Sequence, residues 1–237
     1  MAQLLEIRAT QDSSRTLYSN QYQQSFHSMH GALAEAKHVF LEGARLTELF
    51  KSRKELAILE VGFGAGLNWL LTASLALRHH VSVTYTGLDL QIPGADLLSQ
   101  LSYADLIRDP SLAEHLIQWR RTFDGEIPCG TYQLPYESDS VLQLHIGEAT
   151  AANFSPNTYD CIYLDAFDPR VNPELWTLDF IQKLYDALRD GSCLVTYSAA
   201  GHVRRALVAS GFSVIRRPGP PGKREVLAAW KPKPTAP

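Results

Sequence analysis

Leu56-Ala-Ile-Leu-Glu-Val-Gly62-Phe-Gly-Ala-Gly66-Leu-Asn68 is an apolar run, a glycine-rich turn and the start of a helix-like stretch that continues to Arg78. Strand, turn and helix in that order open a βαβ unit. Val81-Ser-Val-Thr-Tyr-Thr-Gly-Leu88 completes it, alternating with β-branched residues and ending at Asp89. Tyr159 to Phe167 is nearly continuous apolar sequence, as expected for a central parallel strand covered on both faces. Around these, helical patterns are expected over Ala95 to Arg121, Glu174 to Leu188 and Gly201 to Ser210. The first breaks at Asp109-Pro110, because proline disfavours the helical conformation of the residue before it. Tyr132 to Tyr136 and Val141 to Ile146 flank the turn composition Glu-Ser-Asp-Ser and predict a hairpin; Cys193 to Tyr197 predicts another strand. Phe212 to Ile215 and Glu225 to Trp230 are joined by so short a link that they should be antiparallel. The pattern predicts an α/β, Rossmann-like fold, a mostly parallel sheet with a C-terminal antiparallel strand.

The 237 residues suit one such domain. Residues 1–50 read as an N-terminal extension packed on it, with a candidate helix from Ala32 to Leu49 and little strand signal. Residues 51–231 form the domain proper, and 232–237 a proline-rich flexible tail. At 45% hydrophobic and 20% charged residues, the composition supports a sizeable core. The stretch from Leu67 to Leu77 is interrupted by Asn68, Thr72 and Ser74, so no membrane span is expected, and the N-terminus has no secretory pattern; a cytoplasmic protein is expected. Cys129, Cys161 and Cys193 are widely spaced, and His79-His80, His27 and His30 lack ligand spacing, so no disulfide framework and no metal site is implied. The net charge of −3 hides an asymmetry: Gly201 to Pro237 has an excess of +7, leaving −10 for the rest. A phosphate-binding face, if present, should come from that segment.

In an open α/β sheet, ligands occupy the crevice beyond the carboxyl ends of the strands. Gly62, Phe63, Gly64 and Gly66 there let backbone approach a ligand, and Leu67 and Asn68 begin a helix whose first N–H groups are free. Asp89 suits the two hydroxyls of a ribose, and Glu148, after the next strand, the base of a nucleoside. A dinucleotide fingerprint needs Gly-x-Gly-x-x-Gly, but Leu67 stands in the final glycine place. Glu60 adds negative charge that opposes a pyrophosphate and welcomes an amino-acid ammonium. S-adenosylmethionine fits that set. An NAD-dependent oxidoreductase is the alternative from another enzyme class, and a non-catalytic cofactor- or RNA-binding module the alternative outside enzymes.

Glu60-Val-Gly-Phe-Gly-Ala-Gly-Leu-Asn68, Leu164-Asp-Ala-Phe-Asp-Pro-Arg-Val-Asn-Pro-Glu-Leu-Trp-Thr177, and Val203-Arg-Arg-Ala-Leu207 with Gly211-Phe212 and Lys223-Arg-Glu225 resemble the methyltransferase domain of the MnmC family. The resemblance extends upstream through Tyr22 and Val39-Phe-Leu-Glu-Gly43 and covers most of the chain. It implies a class I S-adenosylmethionine-dependent methyltransferase fold and conversion of a 5-aminomethyl to a 5-methylaminomethyl group on a tRNA wobble (2-thio)uridine. It also implies a stand-alone form without the flavin-dependent oxidase module, and a separate enzyme supplying the aminomethyl precursor. Where the family carries an acidic pair before Tyr22 and Glu-Glu-Thr before Val39, this chain has Ser19, Asn20, Ala34, Glu35 and Ala36, so the substrate mouth departs from the pattern.

An amine attacks a sulfonium methyl only with its lone pair free. Asp165, ending an apolar strand, is the candidate catalytic carboxylate, also expected against the cofactor; Asp168, in the following loop, is the second choice. Tyr22, Phe167, Pro169, Asn172 and Trp176 are expected at the substrate mouth, with Phe167, Trp176 and Tyr197 offering faces to a flipped base. Arg204, Arg205, Arg216, Arg217, Lys223 and Arg224 are expected on phosphates of the tRNA anticodon region.

Overall fold

The computed structural model describes residues 5–137 and 139–234. Its main sheet contains β4 (Glu55–Val61), β5 (Ser82–Asp89), β6 (Gly130–Glu137), β7 (Ser140–Ile146), β8 (Tyr159–Leu164), β9 (Leu188–Thr196), β10 (Ser213–Pro218) and β11 (Glu225–Trp230), in the order β10-β11-β9-β8-β4-β5-β7-β6. Five neighbours, β9-β8-β4-β5-β7, run parallel; β6, β11 and β10 add antiparallel pairings at the edges. The expected C-terminal antiparallel strand is thus a pair, and the β6–β7 hairpin adds a third antiparallel strand at the opposite edge.

All six residues of β8 are buried, as its unbroken apolar sequence requires. Successive side chains alternate between two apolar clusters: Cys161 and Tyr163 join one, Ile162 and Leu164 the other. The first cluster is closed by α3 (Leu67–His79) and by α5 (Ser111–Arg121), which follows α4 (Ala95–Gln100) and a 3-10 turn at Tyr103–Leu106. The second is closed by α6 (Leu178–Ala187) and α7 (Gly201–Ala209). Cys161 and Cys193 face each other across β8 and β9 with sulfurs 3.8 Å apart and behave as small core residues.

The N-terminal region departs from its sequence reading in two ways. β1 (Leu5–Ala9), β2 (Arg15–Ser19) and β3 (Gln24–Ser25) form a separate three-stranded antiparallel sheet where little strand was expected. The expected helix from Ala32 to Leu49 is divided into α1 (Ala32–Glu35), a π-helical turn (Ala36–Leu41) and α2 (Leu46–Ser52). The division has a local cause: Arg45 sits at φ 54°, a left-handed conformation that ends one helix before the next begins. Its guanidinium lies 5.4 Å from the Trp230 ring centroid, which ties the bend to β11. Leu17, Ala32, Ala36, Val39 and Phe40 are buried in the same apolar cluster as α3.

At the other end, Lys231 anchors the end of the domain: its ammonium donates to the carbonyls of Leu188 (2.8 Å) and Tyr185 (3.1 Å) and to Asn157. Pro232, Lys233 and Pro234 have no regular structure, and the last residues of the expected flexible tail lie outside the described residues. Among the described residues no helix is long and apolar enough to cross a membrane.

The sheet order places the topological switch at β4, whose neighbours are β5 on one side and β8 on the other. The crevice at that switch is where an open α/β sheet accepts a ligand, and Val61 and Leu164 both end there. The Asp165 amide donates to the Val61 carbonyl at 2.8 Å, locking the two strand ends together. Gly62 is required at this junction: its φ is +89°, and a Cβ would lie 2.5 Å from the Asp165 carbonyl oxygen.

Candidate active site

A cavity of about 610 Å³ opens over the ends of β4, β5, β7 and β8. At its centre the glycine turn leaves β4 by donating the Gly62 and Phe63 amides to the Leu88 carbonyl, each at 3.0 Å. The Gly64 amide then donates to Asp89 Oδ2 at 2.7 Å, and Gln91 N–H reaches Oδ1 at 3.4 Å. Burial pushes the Asp89 carboxyl above its ordinary range, and these amide donors oppose the shift. One carboxyl therefore both fixes the turn and presents its remaining lone pairs to the cavity, where Glu148 also stands.

Beyond Asp89 the wall is made by two loops fastened to each other. Gln91 and Ile127 exchange two hydrogen bonds, side-chain amide to backbone, both at 2.9 Å. The Arg120 guanidinium donates to the carbonyls of Ile92, Phe123 and Gly125 at 3.1, 3.1 and 2.6 Å. Gln91, Ile92, Arg120 and Glu126 all line the cavity and were not singled out from sequence. Gln91 and Arg120 are held there by hydrogen bonds between separate segments, which no local spacing records.

On the other side of the turn, Asn68 extends from the first turn of α3 between two carboxyl groups. Its amide nitrogen donates to Glu60 Oε1 at 2.7 Å and to Asp165 Oδ2 at 2.8 Å, while Tyr85 donates to Glu60 Oε2 at 2.8 Å. Burial raises Glu60 to about 8, and the nearby Asp89 carboxylate adds to the rise. Asp165 is raised well above the usual carboxylate range, again by burial first and then by Glu60 and Glu35. Among the described residues Asn68 Oδ1 is buried without a hydrogen-bond partner. An orphaned acceptor beside two carboxyls is short of a donor or a positive charge.

Because Glu60 is held more tightly protonated in the folded chain than in the unfolded one, its ionisation opposes folding. Stability contributed by the neutral acid is present below the ordinary value near 4.5 and is lost as pH rises towards about 8. Glu60→Gln, which mimics the neutral acid, is therefore expected to flatten the fall in melting temperature of the ligand-free protein between pH 5 and 8. A variant with the same slope as the parent would assign the pH dependence to other groups.

The third part of the cavity is aromatic. The N-terminal sheet brings Tyr22 and Phe26 against Phe167, with ring centroids 5.0 and 5.3 Å away. Phe26 also lies over the glycine turn, where a Cβ on Gly64 would come within 3.0 Å of its ring. Gln24 fixes the loop after β8 by accepting the Asp168 amide at 3.1 Å. His27 lines the same region, its pKa lowered to about 4 by burial, so it is neutral there.

Among the residues expected from sequence, Tyr22, Gly62, Phe63, Gly64, Leu67, Asn68, Asp89, Glu148, Asp165, Phe167 and Asn172 line this one cavity. Four others take supporting positions. Glu60 is only 1% exposed and stands behind Asn68 and Tyr85, so its effect on a ligand passes through Asn68 and not through a direct contact. Gly66 turns the chain into α3 at φ +79°. Pro169 is buried in the loop. Trp176 presents no free face to a base: it is 3% exposed, donates its indole N–H to the Phe167 carbonyl at 3.0 Å and packs edge-on to Tyr197. Asp168 is paired with Arg170, which holds its pKa below the usual range.

The basic set divides. Arg205, Arg216 and Arg224 are exposed, with Arg216 3.3 Å from Glu225. Arg217 is half-buried and donates to the His38 carbonyl at 3.4 Å; Arg204 is half-buried, its Nε enclosed and, among the described residues, without a hydrogen-bond partner. Lys223 turns inward, 2.5 Å from Glu35 and 3.8 Å from the Tyr197 ring centroid.

Cofactor chemistry follows from the donor set. Asp89, Glu148, Asp165 and the free Asn68 oxygen are acceptors, suited to hydroxyl and ammonium groups and hostile to a pyrophosphate. A family model described as S-adenosyl-L-methionine-dependent methyltransferase matches residues 113–232. The tRNA 5-methylaminomethyl-2-thiouridine biosynthesis bifunctional protein MnmC of Paracidovorax citrulli is 34% identical over 94% of this chain and 36% of that protein. Its namesake from Acidovorax sp. is 33% identical over 92% of this chain and 35% of that protein. The chain thus spans about a third of the length of these curated relatives. The crystal structure of MNMC2 from Aquifex aeolicus superposes with a TM-score of 0.75 at 28% identity, covering 98% of this chain and 72% of that one. Spermidine synthase from Thermotoga maritima, at 15% identity and a TM-score of 0.53, covers 95% of this chain and 68% of that one and shares the fold. With the acceptor-lined crevice at the switch point and the family match over half its length, the chain belongs to the S-adenosyl-L-methionine-dependent methyltransferases, related to MnmC, and S-adenosylmethionine is its cofactor.

Proposed function

We propose that this methyltransferase N-methylates the 5-aminomethyl group of a tRNA wobble (2-thio)uridine, giving the 5-methylaminomethyl nucleoside. The observation that carries the reading is the continuity of one cavity from Asp89 and Glu148, past Asp165, to the aromatic group Tyr22, Phe26 and Phe167. A nucleoside-bearing donor and a flat acceptor base fit end to end along it, with a carboxyl at their junction. The relatives' names, which specify 5-methylaminomethyl-2-thiouridine biosynthesis in tRNA, support the acceptor.

S-adenosylmethionine supplies an electrophilic methyl group on a positively charged sulfur. Asp165 accepts an N–H of the acceptor amine, directs its lone pair into the cavity, and takes up the proton that the methylated nitrogen must lose. Its elevated pKa suits it to receive that proton. Asn68 holds Asp165 in place from the α3 side and leaves its own oxygen for the donor's ammonium. Phe167, gripped between Tyr22, Phe26 and the Trp176 N–H, offers the stacking face for the base. A tRNA substrate is in keeping with a cytoplasmic protein, and the aminomethyl group has to be in place on that tRNA before methyl transfer.

The experiment is methyl transfer by the purified chain, with isotopically labelled S-adenosylmethionine, to tRNA carrying the aminomethyl nucleoside, followed by digestion and mass spectrometry. The reading requires label on that nucleoside; label on a different nucleoside, or none, would overturn it.

The tRNA face is proposed on the exposed arginines. Charge reversal of Arg205, Arg216 and Arg224 to Glu is expected to raise the apparent KM for tRNA severalfold or more at low salt while leaving S-adenosylmethionine affinity unchanged. In the parent enzyme that KM should rise with salt, each neutralised single-strand phosphate contributing about −0.7 to the slope of log affinity against log salt. Salt-insensitive kinetics and normal methylation by the reversed variant would move the RNA face elsewhere. Arg217 is omitted because its contact with the His38 carbonyl makes it part of the packing.

A further inference from the structure

We propose that Lys223 is a positioning residue for methyl transfer, its ammonium held by Glu35 over the face of Tyr197 so that it balances the carboxyl groups gathered around Asp165. This rests on the reading of Asp165 as the acceptor-orienting carboxyl, and it takes Lys223 out of the phosphate-binding set.

The hairpin between β10 and β11 is docked, not free. The Pro218 carbonyl lies 2.7 Å from His38 Nε2, the Gly219 amide donates to the Arg224 carbonyl at 3.1 Å, and the Lys223 amide donates to the Pro220 carbonyl at 2.9 Å. Gly222 lies so close to His30 that a Cβ there would meet the imidazole. The tip is thereby wedged against the N-terminal extension, and Lys223 reaches Glu35 at 2.5 Å. Glu35, 4% exposed, is itself fixed by the Ser28 amide at 2.6 Å. Tyr197, under the ammonium at 3.8 Å, donates to the Ala166 carbonyl at 2.8 Å, one residue from Asp165. A phosphate-binding lysine is expected to project into solvent; this one is drawn inward by a buried carboxylate and an aromatic face.

The groups around Asp165 show why a cation is needed. From β4 comes Glu60, backed by Tyr85 and Tyr163; from α3, the neutral Asn68; from α1, Glu35; from the N-terminal loop, His27, neutral by burial; from the residue after β9, Tyr197. Asp168, in the same loop, is balanced by Arg170, and Asp89 acts on Glu60. Among the charged groups acting on Asp165, Lys223 favours its ionised form, whereas Glu60 and Glu35 oppose it. The two members of the Lys223–Glu35 pair thus act on the reacting carboxyl with opposite sign. Glu35 is also the one acid this chain retains where the MnmC pattern has Glu-Glu-Thr.

Opposite signs give a test that a structural ion pair would fail. The full chain is labelled with γ-carboxyl ¹³C aspartate, the Asp165 resonance is assigned through Asp165→Asn, and its titration midpoint is followed in Lys223→Met, Glu35→Gln and the double variant. Lys223→Met is expected to move the midpoint up by about one pH unit or more, Glu35→Gln to move it down, and the double variant to return it close to the parent. Lys223→Arg should keep the parent midpoint. The acid limb of methyl transfer should follow Lys223→Met upward, because losing the cation also makes the acceptor amine harder to deprotonate. Equal melting-temperature losses in both single variants with no movement of the midpoint would overturn the proposal and leave a structural pair. An unmoved midpoint with a salt-dependent rise in KM for tRNA would return Lys223 to the phosphate-binding set. The resonance is read without substrate, so a parent enzyme that fails to methylate tRNA would refute the acceptor assignment and leave the Lys223 result to stand or fall on its own.

Discussion

Asp165→Asn is expected to fold, to bind S-adenosylmethionine close to normally, and to lose at least about a hundredfold in methyl transfer, the usual size of a general-base contribution. That corresponds to about 2.7 kcal/mol of transition-state stabilisation. The cause is specific. Asparagine keeps the shape, but its NH2 group is no acceptor; it can accept an N–H through one oxygen only and cannot take up the proton that the methylated amine releases. In the free enzyme Asp165 Oδ2 already accepts the Asn68 amide at 2.8 Å, leaving the other oxygen to the substrate amine. Single-turnover methyl transfer measured beside calorimetric binding of S-adenosylmethionine separates the two effects. Near-normal turnover in a folded Asp165→Asn protein would remove the residue from the chemistry.

Asp89→Ala is expected to act on the other half of the cavity. Loss of a charge-assisted hydrogen bond costs about 1.5–3 kcal/mol, so affinity for S-adenosylmethionine should fall at least about tenfold. The structure adds a second reason for a large effect: Asp89 Oδ2 anchors the Gly64 amide at 2.7 Å, and its removal releases the glycine turn as well as the ligand contact. Asp89→Asn should lose less, since an amide oxygen still accepts from Gly64. Calorimetry with S-adenosylmethionine checks both variants; unchanged affinity in a folded Asp89→Ala protein would show that the ribose-binding carboxyl lies elsewhere.

The parts of the site legible in sequence are those set by strand ends. Gly62, Asp89 and Asp165 each follow an apolar run, and parallel strands of one sheet deliver the residues after their carboxyl ends to one crevice. The same logic overreached at Glu60, which is still inside β4: its side chain points into the packed layer with Tyr85, and the amide of Asn68 stands between it and the cavity. Phe26, His27, Gln91 and Arg120 carry no such local signal, because they reach the cavity through packing of the N-terminal sheet and through hydrogen bonds between separate segments.

The N-terminal strands did carry a local signal. Leu5, Glu6, Ile7 and Arg8 alternate apolar and charged, and in the structure this stretch pairs antiparallel with Arg15–Ser19. Counting basic residues was informative about the segment and misleading about individuals. Of the charges behind the +7 excess, Lys231 is buried against backbone carbonyls, Lys223 faces Glu35 and Arg217 faces the His38 carbonyl. Net charge fixes how much positive charge a segment has, and only tertiary contacts decide where it points.

The central claim, that this chain methylates the 5-aminomethyl group of a wobble uridine in tRNA, is tested most directly by nucleoside mass spectrometry of tRNA from cells of the source organism lacking the protein. Accumulation of the unmethylated 5-aminomethyl nucleoside, reversed by the parent protein and not by Asp165→Asn, is the result expected. An unchanged nucleoside profile, or accumulation of a precursor without a free 5-aminomethyl group, would contradict the claim.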